Sequence, residues 1–86
     1  MITVLYTSTF LRQYRKLPMD LQEEIDRAIA LFESDPNSPS LKNHKLKEKM
    51  KDWRSMSVNY KFRIVFQEDA KGVYAMLAVG DHDIYK

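Results

Sequence analysis

The sequence predicts a single α+β domain with the element order β-α-α-β-β-β. Three features predict it: two stretches with helical apolar spacing, an alternating stretch from Trp53 to Phe66, and a nearly apolar run from Val73 to Val79. Of the 86 residues, 44% are hydrophobic and 30% are charged, which is typical of one small folded domain and not of a disordered chain. No repeat and no long linker divides the sequence.

The N-terminal part predicts a strand followed by a short helix. Ile2 to Tyr6 is rich in β-forming residues, and Thr7, Ser8 and Thr9 carry hydroxyls suited to capping a helix. The apolar stripe of this helix consists of Phe10, Leu11, Tyr14 and Leu17. Pro18 ends the helix and opens the next one, where its missing N–H costs nothing.

The second helix has a longer apolar stripe and an acidic first turn. Its stripe consists of Leu21, Ile25, Ala28, Ile29 and Phe32. Asp20, Glu23 and Glu24 lie near the positive end of the helix dipole, and this electrostatic role explains them without any chemistry. Turn-forming residues from Ser34 to Pro39 end the helix. The two helices are therefore expected to cover one face of the sheet.

A hairpin from Trp53 to Gln67 is the predicted centre of the sheet. After a turn at residues 59–61 the chain alternates between two faces, one with Phe62, Ile64 and Phe66 and the other with Lys61, Arg63 and Val65. Because an arginine keeps its charge, Arg63 either binds an anion on the face away from the core or keeps an edge strand solvated. We predict the anion-binding role.

A last strand and a polar tail complete the chain. Gly72 supplies the positive φ of a turn, and Val73 to Val79 reads as a central strand buried on both faces. The tail from Gly80 to Lys86 contains His82, Asp83 and Tyr85. The stripes and one strand face predict a common core of Phe10, Leu11, Tyr14, Leu21, Ile25, Ile29, Phe32, Ile64, Phe66 and Leu77.

Composition excludes several classes of protein. There is no cysteine, and two distant histidines cannot form a standard zinc site, so we expect no metal and no cofactor. The N-terminus lacks the features of a signal peptide, and no run approaches the roughly 20 apolar residues that span a bilayer. A soluble cytoplasmic protein is expected.

Charge is segregated along the chain. Residues 17–41 hold six acids and one base, whereas residues 42–54 hold six bases and two acids. The basic stretch is typical of a polyanion-binding site, although a solvated lysine-rich loop explains it equally well.

The order of these features resembles the RelE/ParE superfamily of bacterial toxin–antitoxin toxins. The resemblance covers most of the chain and is carried by the following motifs: Leu17-Pro18, Asp35-Pro36, His44-Lys45-Leu46-Lys47, Trp53-Arg54-Ser55, Phe62 to Phe66, Val79-Gly80 and His82 to Tyr85. It implies a four-stranded, mostly antiparallel sheet packed against a two-helix hairpin. It also implies cleavage of messenger RNA inside the ribosome.

The resemblance assigns roles residue by residue. Arg63 matches the strand arginine of the family, His82 and Tyr85 match C-terminal acid–base residues, and Lys45 and Lys47 match the phosphate-holding segment. Ser57 departs from the pattern, because many relatives have a second arginine there, and only one residue follows Tyr85.

The residues suit this chemistry independently. RNA cleavage without a metal needs a base for the 2′-OH, cations on the phosphoryl oxygens and an acid for the leaving oxygen. His82 has a suitable pKa near neutral pH, unless it is a solvated histidine bonded to Asp83. Tyr85 can stack on a base or transfer a proton. Trp53 can also stack, although we favour core packing for it. Further RNA contacts are predicted for His44, Lys45, Lys47, Arg54 and Lys61.

Three functions remain open from the sequence. The first is a ribosome-dependent endoribonuclease toxin, monomeric alone and bound to a small antitoxin in a hetero-oligomer. The second is a ParE-like poison of DNA gyrase, and the third is a non-catalytic RNA-binding or decayed toxin that only binds its antitoxin. The combined presence of His82, Tyr85 and the lysine cluster favours the first.

Overall fold

A computed structural model describes residues 2–46 and 52–81. In chain order the elements are β1 Thr3–Tyr6, α1 Ser8–Arg15, α2 Met19–Ser34, a 3-10 turn at Pro39–Leu41, β2 His44–Lys45, β3 Trp53–Ser57, β4 Arg63–Ala70 and β5 Val73–Gly80. The predicted α+β class is confirmed, and the predicted strands and helices occur in the predicted order with one additional strand. Neither helix of the described residues is long and apolar enough to cross a membrane.

In the described residues the sheet has five strands, in the order β1-β5-β4-β3-β2, where four were predicted. The additional strand is β2, in which His44 pairs with Ser55 and Lys45 with Arg54. The sequence shows this segment only as a basic stretch, but two residues are enough to pair part of the exposed edge of β3. β1 runs parallel to β5, and the other pairs are antiparallel.

One connection fastens α1 to the sheet, and a second joins α2 to α1. The Thr7 Oγ1 hydroxyl accepts a hydrogen bond from the Phe10 backbone N–H (3.2 Å) and donates one to the Met76 carbonyl oxygen (2.8 Å). It therefore caps α1 and fastens that cap to β5. Gln22 donates through Nε2 to the Tyr14 carbonyl oxygen (2.9 Å), which joins α2 to the last turn of α1.

The core lies between the helices and one face of the sheet, called here the helix face. Its buried members are Phe10, Ile25, Ala28, Ile29, Phe32, Leu41, Met56, Ile64, Phe66, Met76 and Val79. Leu11, Tyr14 and Leu21 pack against this cluster and are only partly buried. Most of the predicted core is thereby confirmed.

Leu77 does not belong to this core, contrary to the sequence prediction. Val65 pairs with Ala78 and Phe66 with Met76, so Leu77 is the extra residue of a bulge in β5. A bulge breaks the strict alternation of side chains. Met76 and Val79 therefore occupy the positions on the helix face.

Replacing Phe66 with alanine is expected to lower the free energy of unfolding by about 3–5 kcal/mol. The ring is fully buried and packs edge-on against Phe32, with centroids 5.0 Å apart. Chemical denaturation measures the loss, and Met19→Ala is the control because Met19 is 73% exposed at the start of α2. Equal unfolding free energies for the two variants would contradict this packing.

Candidate nucleic-acid interface

The pleat of the sheet divides the predicted binding residues between its two faces. Directly opposed residues of an antiparallel pair point to the same face. Arg54 is paired with Phe66 and Lys45 with Arg54, so Lys45 and Arg54 belong to the helix face. Arg63 is paired with Ser57 and Gly80 and belongs to the opposite face, called here the outer face.

His44 and Trp53 also belong to the outer face. His44 is opposite Ser55, and Trp53 is opposite Gln67. His44 is exposed, and its Nδ1 lies 2.8 Å from the Lys42 carbonyl oxygen. Trp53 is half-buried and is not a member of the core formed by residues 2–46 and 52–81, so the core packing that we favoured for it from the sequence is not observed among them.

Arg63 lies at the start of β4, between β3 and β5, and is half-buried. It is therefore not the edge-strand arginine that the sequence left open. Its Nη1 donates to the carbonyl oxygens of Asn59 (2.5 Å) and Phe62 (3.1 Å) and to Ser57 Oγ (3.2 Å). Among the residues that the structure describes, the hydrogen bonds of Arg63 all leave from Nη1.

The turn before Arg63 is organised by Asn59. Its Oδ1 accepts hydrogen bonds from the backbone N–H groups of Lys61 (2.9 Å) and Phe62 (2.8 Å), and its Nδ2 donates to Glu24 on α2 (3.1 Å). The exposed Lys61 extends from this turn, with its Nζ 6.0 Å from the Phe62 ring centroid. The turn thus fixes the position of the guanidinium relative to the helices.

Arg54 lies in a different environment on the helix face. Its Nε donates to Asn43 Oδ1 (2.8 Å), and Asn43 Nδ2 donates to the Pro36 carbonyl oxygen (3.1 Å). Arg54 borders a cavity of about 250 Å³, called here the Arg54 cavity, whose walls include Phe32, Asn37, Asn43, Glu68 and Tyr74. An adjoining cavity of about 180 Å³ shares Arg54 and Glu68 and adds Lys45 and Asp52.

The pKa of Tyr74 reflects its burial and the charged groups around the Arg54 cavity. Burial raises the pKa of Tyr74, and the neighbouring Glu68 carboxylate raises it further, whereas Arg54 lowers it. Its ring is held edge-on by Phe32, at a centroid distance of 5.0 Å, and by Phe66, at 6.0 Å. The phenol is therefore neutral at physiological pH.

Three of the predicted site residues, Lys47, His82 and Tyr85, lie outside the described residues. Within residues 2–46 and 52–81, no group of three or more histidine, aspartate or glutamate side chains is arranged to hold a metal ion.

Two residues that position the cations were not identified from the sequence. The sequence predicted only a turn at Asn59 and indicated no role for Asn43. The known preference of asparagine for bonding nearby backbone groups was the available signal for Asn59. No local signal reveals Asn43, because its partner Arg54 is 11 residues away.

No protein-family model and no curated protein matches the sequence. Solved structures do match. A copper-bound mutant toxin from Helicobacter pylori superimposes with a TM-score of 0.80 at 19% identity over 100% of both chains. A YoeB/ParE toxin from Agrobacterium tumefaciens superimposes with a TM-score of 0.76 at 16% identity, over 94% of this chain and 99% of the other.

The chain has the RelE/ParE toxin fold. The toxin fold predicted from the sequence motifs is thereby confirmed. A chain of the intact RelBE toxin–antitoxin complex of E. coli shares this fold, with a TM-score of 0.70 at 19% identity over 94% of this chain and 96% of that one. Within the RelE/ParE fold, Arg63 lies on a central strand and faces away from the helices.

Proposed function

We propose that this chain is the toxin of a type II toxin–antitoxin system, a cytoplasmic endoribonuclease that cuts messenger RNA on the ribosome without a metal. The match to toxin folds over essentially the whole chain supports the assignment as a toxin. The position of Arg63 supports the assignment as an endoribonuclease and is the observation that carries the proposal. Among the described residues its guanidinium is fixed through Nη1, and the Nε and Nη2 groups of a guanidinium are donors that suit a phosphate.

The reaction begins with attack of a ribose 2′-oxygen on the adjacent phosphorus. A base takes the 2′-OH proton, the new P–O2′ bond forms a cyclic phosphate, and the P–O5′ bond breaks as an acid protonates the leaving oxygen. Negative charge grows on the phosphoryl oxygens as the new bond forms. Arg63 stabilises that charge, because a guanidinium remains protonated throughout and offers a planar pair of donors.

The remaining roles in the proposal follow the sequence motifs. His82 and Tyr85 are the proposed acid–base pair, since a histidine titrates near neutral pH and a tyrosine hydroxyl can give or accept a proton. His44, Lys47 and Lys61 are the proposed contacts of the RNA strand that Arg63 binds, whereas Lys45 and Arg54 would contact RNA from the helix face. The outer-face position of His44 suits contact with a strand that passes Arg63.

An antitoxin is the proposed protein partner. The E. coli RelBE structure is that of a toxin–antitoxin complex, and the same fold here supports a partner of this kind. The basic stretch at residues 42–54 would attract an acidic segment, and a segment that folds on binding can cover both this stretch and the sheet.

One observation favours a second function, binding without catalysis. Within residues 2–46 and 52–81, the hydrogen bonds of Arg63 go to its own hairpin, as expected of an arginine that only stabilises a turn. A toxin of this kind would bind RNA, its antitoxin or DNA gyrase without cutting RNA.

Induction of the chain alone in bacteria is expected to stop growth with messenger RNA cut on the ribosome. Primer extension detects the cuts, pulse labelling measures translation, and plasmid topology reports gyrase. Co-expression with the antitoxin should restore growth. DNA damage with altered supercoiling and intact messages would identify a gyrase poison instead, and normal growth would contradict the toxin assignment.

A further inference from the structure

The Arg54 cavity combines an anion-binding group with acceptors and an aromatic wall. Arg54 is half-buried, and its Nε edge is occupied by Asn43, which is itself anchored to the Pro36 carbonyl oxygen. Neither Nη1 nor Nη2 of Arg54 donates to any residue within 2–46 and 52–81. A guanidinium held in this way presents its two terminal nitrogens as a fork that fits a phosphate or a carboxylate.

Lys45 adds a second cation beside this fork. It is directly opposite Arg54 in the β2–β3 pair, and both belong to the helix face. The adjoining cavity contains both side chains. Two cations side by side favour a group with more than one negatively charged oxygen.

Glu68 limits the chemical classes of ligand that can bind in the Arg54 cavity. Its carboxylate borders both cavities, and Asp52 borders the second. A polyacidic peptide would meet these carboxylates as well as the cations. A ligand with an oxyanion at one end and hydrogen-bond donors at the other would satisfy both charges.

The remaining walls and the size suit a single flat ring. Phe32 and Tyr74 give an aromatic wall, and Asn37 contributes an amide. The volume of about 250 Å³ is below the roughly 300–1,000 Å³ of pockets for drug-sized ligands. The Arg54 cavity therefore accepts one flat base, and the adjoining cavity beside Lys45 leaves space for the phosphate attached to it.

We propose that the Arg54 cavity binds one nucleotide, with its phosphate on Arg54 and Lys45 and its base against Tyr74, where Glu68 accepts from an exocyclic amino group. Adenine, cytosine and guanine have such a group and uracil does not. This site is on the helix face, across the sheet from Arg63. The inference rests on the proposed function only in naming RNA as one source of the nucleotide.

Calorimetric titration of the full chain with CMP, UMP and inorganic phosphate tests the site. CMP is expected to bind about tenfold or more tightly than UMP or phosphate, as one charge-assisted hydrogen bond predicts. Glu68→Gln should reduce the preference for CMP over UMP. Equal affinity for CMP and UMP, or for CMP and phosphate, would overturn the proposal.

Arg54→Gln should weaken CMP binding by about tenfold or more, whereas Lys16→Gln, which removes an exposed cation after α1, should not. Asn43→Ala keeps the guanidinium and removes its clamp, so it should weaken CMP binding less than Arg54→Gln does. Thermal melts identify any variant that fails to fold. Unchanged binding by a folded Arg54→Gln protein, or binding of a tetraglutamate peptide in place of CMP, would refute the site.

Titration with a short cytidine oligonucleotide distinguishes RNA from free nucleotides as the ligand of this cavity. Tighter binding than CMP with the same dependence on Arg54 assigns the site to RNA, and equal binding assigns it to free nucleotides. Nucleotide binding by a chain that cuts no messenger RNA would support the cavity and refute the nuclease. The two proposals can therefore fail separately.

Discussion

Arg63→Ala is expected to reduce the rate of RNA cleavage on programmed ribosomes by about 10²-fold or more. Removing a group that stabilises transition-state charge typically has an effect of this size. The substitution also removes three hydrogen bonds to the β3–β4 turn, which should lower the free energy of unfolding by about 1–2 kcal/mol. Single-turnover cleavage and chemical denaturation measure the two effects.

Two further variants separate the roles of Arg63. Ser57→Ala removes a hydroxyl that accepts from Arg63 and donates to the Asn59 carbonyl oxygen (2.9 Å), so it perturbs the same turn and keeps the guanidinium. Arg63→Lys keeps the charge and loses the planar fork. If Arg63→Ala and Ser57→Ala cut equally fast, Arg63 only stabilises the turn.

Deletion of residues 82–86 is expected to abolish RNA cleavage with little change in thermal stability. Chain termini usually contribute little to stability, and the core described above lies within residues 10–79. His82→Ala should slow the chemical step by about 10²–10⁴-fold, the usual contribution of a general acid or base. Single-turnover cleavage with saturating ribosomes isolates that step.

Tyr85 has two possible roles that its variants distinguish. Tyr85→Phe keeps the ring for stacking and removes the hydroxyl, whereas Tyr85→Ala removes both. A large loss in Tyr85→Phe indicates proton transfer, and a loss only in Tyr85→Ala indicates base stacking. Removal of Lys86 alone is the matched control. Parental rates in His82→Ala, Tyr85→Ala and the deletion would exclude the tail from the active site.

The candidate site was only partly predictable. The alternation from Phe62 to Phe66 places Arg63 on the face opposite Ile64, and the structure confirms this. The same sequence predicts RNA contacts for Lys45 and Arg54 without indicating which face of the sheet they occupy. The structure puts those two residues on the helix face, because the pairing of β2 with β3 sets their direction. A basic stretch in a sequence does not specify its register.

The Arg54 cavity was even less predictable from the sequence than the direction of these side chains. Its members come from α2, the loop before β2, and three strands, so no local pattern brings them together. Asn43 and Arg54 are 11 residues apart, and Asn59 and Glu24 are 35 apart. Such contacts depend on how the hairpin and the helices pack.

The sequence by itself determined the element order, both helices, the central hairpin and most of the core, because apolar spacing is a local property that each element must satisfy. Only the tertiary structure decided that β1 lies parallel beside β5, that His44–Lys45 forms a fifth strand, and that Leu77 leaves the core. These outcomes depend on strand pairing and on a bulge, which are fixed between distant segments. Which face each cation occupies follows from that pairing.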